Sequence, residues 1–260
     1  MLLPSVAKAK TKGQGIQCLN NHRQLMLAWR MYSDDNADEL LFASPSPYYG
    51  DTSKDPYTWV LGHMDFDPDN ESNWNVEKDI KRSPLWPYSG KSTAIWKCPA
   101  DKSTVTPSIG PFAGQTMPRV RSMSMNVWVG GFGGDDAGLS GGGIWRIYLK
   151  AGEMIDPGPS RTFVLLDMRE DSIDIGNFAP DMRGWPDQPD ELSFYDFPAS
   201  YHNRAGGLSF ADGHSEVKRW LDDRTMPPLV KGGLIPDVIS SPNNKDVLWL
   251  QERSTRKIKP

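Results

Sequence analysis

From Ile16 to Tyr32 the apolar and semi-apolar residues Cys18, His22, Leu25, Trp29 and Tyr32 recur at three- and four-residue steps, with Leu19 and Met26 beside them. That spacing predicts one stripe of an amphipathic helix. Gly13 and Gly15 weaken its upstream end, and the turn-forming cluster Asp34-Asp35-Asn36 closes it. Beyond that point the period shortens. Tyr57 to Leu61 reads as a short strand, residues 119–129 alternate through Val120, Met123, Met125 and Val127, and Thr162 to Leu166 reads as a buried strand ending at Asp167. Leu208 to Ala211 and Ser215 to Trp220 flank Asp212-Gly213-His214, and Asp-Gly between two strands predicts a hairpin with a type I′ turn. The stretch from Gly130 to Gly143, with eight glycines, reads as a mobile surface loop.

No regular strand–helix–strand alternation follows, which argues against a doubly wound parallel sheet. The expected fold class is α+β: a long N-terminal amphipathic helix packed on a loop-rich antiparallel β-sheet. Residues 16–224 are expected to form one globular domain beginning with its helix. Residues 1–15 precede it, and residues 225–260 form a Pro-rich, then charged, tail along the surface or frayed from it.

Composition sharpens this outline. At 260 residues, 38% hydrophobic and with ten Trp, the chain can bury a core; its 24 Gly and 22 Pro make it rich in loops. A net charge of −4 argues against a general nucleic-acid binder, which needs a basic face. Residues 1–33 nevertheless hold Lys8, Lys10, Lys12, Arg23 and Arg30 and no acid, a pattern fitting either an anionic membrane surface or a solvated helix face. No window approaches 18 apolar residues, and no signal-peptide pattern is visible.

Candidate chemistry centres on His202, Asp212 and His214, with Asp167 and Glu170 as companions, a donor set suited to a transition metal and to a metal-dependent hydrolase. The competing reading gives Asp212 to the turn, His214 to solvent and His202 to the hairpin backbone. For calcium, Asp34-x-Asn36-x-Asp38 and Asp65-x-Asp67-x-Asp69 copy the start of an EF-hand loop, but both lack the glycine and the closing Glu. Neither a Gly-x-Ser-x-Gly elbow nor a Cys with a convincing base is present. The two cysteines, Cys18 and Cys98, fit one disulfide in an exported protein or two unrelated buried thiols.

Several short words in a fixed order carry a family resemblance. They are Cys18-Leu19-Asn20-Asn21, Tyr32-Ser33-Asp34-Asp35-Asn36, Leu85-Trp86-Pro87-Tyr88, Lys97-Cys98-Pro99-Ala100-Asp101, Arg121 to Asn126, Ser160-Arg161-Thr162, and His202 followed by nine residues and Asp212-Gly213. Together the chain resembles the bacterial proteins with a prepilin-type N-terminal cleavage and methylation signal and a C-terminal His-x9-Asp-Gly motif. The leader and membrane helix of that family are not in this sequence, and Met1 is expected to correspond to a position just past that helix. The resemblance implies a non-enzymatic, type II secretion or type IV pilus pseudopilin-like subunit. It would be anchored in the inner membrane through the missing helix, face the periplasm or exterior, and have other pseudopilin-like subunits or assembly proteins as partners. It implies no cofactor, with calcium at an acidic loop the exception considered. It also implies a Cys18–Cys98 disulfide, worth roughly 4 kcal/mol in the loop-entropy account, and a structural role for His202, Asp212 and Gly213 in which His202 braces the turn. The alternatives are an extracytoplasmic ligand- or glycan-binding module using exposed Trp, and the hydrolase at His202, Asp212 and His214.

Overall fold

The computed structural model describes residues 2–48 and 50–258, with side chains from residue 9 onward. Its first element, α1 (Leu2–Asp35), has 34 residues and is about 50 Å long at the α-helical rise. The helix starts well upstream of Ile16 and runs unbroken through Gly13 and Gly15, so residue 16 marks no structural boundary; Met1 lies outside the described residues. The predicted stripe is the buried one: Cys18, His22, Leu25, Met26, Trp29 and Tyr32 are buried, while Ile16, Leu27 and Met31 on the other side are exposed. The chain leaves the helix through Ala37 and Asp38, both left-handed at φ 55° and 71°. The Asn36 side-chain amide donates to the Tyr32 carbonyl at 2.7 Å, satisfying one of the free carbonyls at the helix end.

Among the described residues nine short strands follow: β1 (Thr104–Val105), β2 (Met117–Pro118), β3 (Met123–Asn126), β4 (Phe163–Asp167), β5 (Asn177–Phe178), β6 (Ser193–Phe194), β7 (Ala205–Phe210), β8 (Ser215–Arg219) and β9 (Ile239–Ser240); a second helix, α2 (Lys245–Gln251), follows β9. Five strands form the central sheet in the order β5-β3-β4-β7-β8. Its β3–β4, β4–β7 and β7–β8 pairs are antiparallel, while β3 and β5 run parallel. Residues alternate between the two faces of a strand. Met125 opposite Leu165, and Met123 opposite Asp167, lie toward α1, as do Gly207 and Ser209 of β7. Leu166, Leu208 and Phe210 belong to a second apolar layer with Phe178, Phe197, Trp220, Val247 and Leu250. The fold is mixed α+β, with one long N-terminal helix and several antiparallel sheets.

Three local expectations change. Tyr57 to Leu61 makes no strand: Asp55–Tyr57 is a 3-10 turn and Thr58 forms a single bridge to Phe42, because Trp59 turns inward to stack on Trp96 and donate to the Gly176 carbonyl. The glycine-rich segment is packed at its start, where Gly130 donates to the Tyr148 carbonyl and a Cβ would lie 2.0 Å from the Leu41 carbonyl oxygen. Here glycine allows close approach of two backbones. The segment from 225 onward does not fray in its described part. Ile239–Ser240 pairs with Ser193–Phe194, and α2, capped by the Asn244 side chain, sends Val247 and Leu250 into the second apolar layer.

The hairpin also differs in detail. Phe210 pairs with His214 through its backbone, and Gly213 donates to the Phe210 carbonyl at 2.8 Å. Gly213 has φ 97°, whereas Asp212 is not in the positive-φ region. This is a three-residue loop closed by a left-handed glycine, with a G1-type bulge in place of the type I′ turn.

Candidate functional site

Four segments meet where the buried stripe of α1 crosses the end of β4. Asn21 fixes the helix by donating to the carbonyls of Ala94 and Lys97, which places Cys98 beside Cys18. Asp167 ends β4, and its backbone is held when Ala199 donates to its carbonyl. His202 precedes β7 through Asn203 and Arg204, both left-handed, and donates its backbone N–H to Ala205. The result is a set of four buried donors, Cys18, Cys98, Asp167 and His202, whose sulfur, oxygen and nitrogen atoms all lie within 4.8 Å of one another.

The internal bonds are specific. Cys18 Sγ donates to Asp167 Oδ2 at 2.8 Å, and Cys98 Sγ lies 3.2 Å from His202 Nε2. Asp167 also accepts from the Gly207 backbone at 3.2 Å and the Ser122 hydroxyl at 3.4 Å, while Ser122 Oγ accepts from the Cys98 backbone at 2.7 Å. Behind the carboxylate stands His22, wholly buried, with Nδ1 against Ser209 Oγ and Nε2 3.7 Å from Asp167 Oδ1. That Nε2 has no hydrogen-bond partner. Gly207 leaves room for the pair: a Cβ there would sit 2.7 Å from His22 Nε2 and 3.0 Å from Asp167 Oδ2.

This packing shifts the acidities. The hydrogen bond with Cys98, burial and the Asp167 charge hold the Cys18 thiol protonated, far above its ordinary range. Cys98 moves down because the Cys18 bond favours its thiolate, against the opposing effect of burial. Burial pushes Asp167 up, but His22 and the Cys18 thiol outweigh it and hold the carboxyl below its ordinary value. For His202 burial favours the neutral ring, and Cys98 and Asp167 outweigh it, raising the imidazole.

The predicted trio of His202, Asp212 and His214 is not assembled. His202 lies before β7 and Asp212 after it, and the six residues of β7 span about 20 Å. Asp212 and His214 stay together at the exposed tip, 2.6 Å apart, with His214 stacked on Phe210. His202 therefore does not brace the turn. Arg30 of α1 does, donating to the Asp212 carbonyl at 2.8 Å. Of the two companions, Asp167 joins His202 and Glu170 stands apart, its backbone carbonyl taken by Arg119. Cys18 and Cys98 are free thiols with neighbouring sulfurs.

The acidic stretch at 65–69 is occupied by its own backbone: Asp65 accepts from Asp67 and from Asn73, and Asp67 accepts from Asp69. In the other stretch, Asn36 is engaged with Tyr32 and Asp38 Oδ2 with the Gly152 backbone. Among the described residues neither stretch forms a donor cluster like that at Cys18. The sequence reading missed His22 as a partner of Asp167. Its signal was present, since the first two positions of an otherwise apolar buried stripe, 18 and 22, carry polar atoms. Comparison with protein-family models, with curated proteins and with solved structures found no match.

Proposed function

We propose that the chain is a non-enzymatic structural or assembly subunit of the bacterial envelope, built like a pseudopilin. One observation carries the reading: a 34-residue helix whose downstream half packs its buried stripe on the sheet, while exposed positions recur among its described upstream residues. The first buried residue along the described side chains of α1 is Gly15; Ala9, Lys10, Lys12 and Gly13 before it are exposed. Such a helix is suited to continue into a neighbouring bundle while the sheet presents loops outward. No described helix is long and apolar enough to cross a membrane.

The glycan-binding alternative depends on exposed indoles. Seven of the ten Trp are buried and Trp86, Trp185 and Trp249 are half-buried, which favours the structural reading. The test is fractionation of the native host with an antibody to the folded domain, combined with Ile16→Cys on the exposed helix face. The expected result is recovery in the envelope with copy-to-copy crosslinks through position 16. Recovery as an uncrosslinked cytosolic monomer would overturn the proposal.

A further inference from the structure

We propose that Cys18, Cys98, Asp167 and His202 form a closed four-ligand site for a zinc-class divalent cation, which staples the N-terminal helix to the sheet. The inference is independent of the assembly role, since it rests on the donor cluster alone.

The donor geometry fits. A tetrahedral ion with bonds of about 2.0–2.3 Å requires donor–donor separations of roughly 3.3–3.8 Å. The contacts lie close to that range: 2.8 Å from Cys18 to Asp167, 3.2 Å from Cys98 to His202, and no pair beyond 4.8 Å. Shifts of less than about 1 Å by four side chains bring all donors to the required edges. The donor types narrow the choice. Two sulfurs with an imidazole and one carboxylate suit zinc and similar transition ions, and thiolates disfavour magnesium and calcium. Four protein ligands leave no open position, which is the pattern of a structural centre.

The burial points the same way. Two thiols, a carboxylate and an imidazole are withdrawn from water in one place, and gathering such groups without a cation is unfavourable. Among the described residues no Lys or Arg forms an ion pair with Asp167, whose ion-pair contact is with His22 at 3.7 Å. The His22 ring, wholly buried, aims an unpartnered Nε2 at the carboxylate. This is the position of an outer-shell partner that orients a ligating group. A groove of about 590 Å³ lined by Gly15, Ile16, Leu19 and Val217 reaches the ring of His202 from the side opposite the donor cluster. On binding, the two S–H bonds break, two metal–sulfur bonds form, and both protons leave to solvent; no electrons are exchanged.

Protein produced with zinc present and purified without chelator should carry about one zinc per chain by elemental mass spectrometry. Both thiols should resist a thiol reagent until a chelator is added. Cobalt exchanged into the site should give thiolate-to-cobalt charge-transfer absorption and the visible bands of a tetrahedral ion. Cys98→Ser and His202→Ala should each weaken zinc binding by more than the roughly 10–100-fold that loss of an outer-shell partner costs. His22→Gln should weaken it by about 10–100-fold while keeping the charge-transfer band, as befits a positioning residue.

Three results would overturn the proposal: two free thiols and no zinc after equilibration with the ion, a Cys18–Cys98 disulfide in metal-free native protein, or zinc retained when Cys98 and His202 are both replaced. If a variant does not fold, the cobalt spectrum of the unaltered protein decides alone.

Discussion

Gly207 shows how one missing side chain can hold a site open. It lies opposite Val217 in the middle of a regular strand pair, where glycine is unfavourable, yet a methyl group there would strike His22 Nε2 and crowd Asp167. Gly207→Ala should therefore destabilise the fold by about 1–3 kcal/mol, the usual range for overpacking, read as a lower urea midpoint. An unchanged midpoint would mean that His22 relocates without strain. Asp196 supplies the pH dependence at this scale. Enclosure by the surrounding chain and the nearby Asp174 charge push its carboxyl well above the usual range, although the Ala179 backbone donates to it. A carboxyl raised on folding holds its proton more tightly in the native state. Its contribution is thus fully present below the unfolded value, near pH 4, and is lost as pH rises through the folded one. Asp196→Asn, which keeps an acceptor for Ala179, should raise the melting temperature at neutral pH and flatten its decline above about pH 4. A lower neutral-pH melting temperature would contradict this.

At the scale of elements, α1 persists through two glycines because its downstream half is anchored by tertiary contacts, which outweigh weak local propensity. Gly13 lies in open space on the exposed face, with nothing within 4 Å of a Cβ. Gly13→Ala should stabilise the helix by about 0.5–1 kcal/mol, visible as a higher denaturation midpoint; a fall would show that the upstream turns do not need to be helical. In α2 the cap matters more than the length. The buried Asn244 side chain accepts from the Asp246 and Val247 backbones at 2.8 and 3.2 Å and donates to Ser241. Asn244→Ala should cost about 1–2 kcal/mol, and urea unfolding without such a loss would argue that the seven-residue helix is held by Val247 and Leu250 alone.

At the scale of the whole molecule, the sheet is covered on both faces, by α1 on one and by segments reaching α2 on the other. Truncation before Ile239 removes β9 and α2 and uncovers Phe178, Phe194 and Phe197. The shortened chain should lose its sharp near-ultraviolet circular dichroism transition; a full-length melting temperature would refute this account of the second layer. The helix stripe, the strand at Phe163–Asp167 and the hairpin were legible because each writes its burial as a local period. The C-terminal layer was not, since its apolar residues are interrupted by Pro and charge and find partners only across the chain. The donor cluster was legible in fragments, as a His202–Asp167 association and a Cys18–Cys98 association. Nothing local states that the two pairs coincide. The interval from His202 to Asp212 has a consequence of its own. It is a ruler set to the reach of β7, from the donor cluster at one end to the Arg30-held loop at the other. Lengthening it by a single residue would turn the strand over, delivering Leu208 and Phe210 to the place where Gly207 and Ser209 meet His22. Only changes of two residues preserve which side faces α1, and even these detach one end from its fastening.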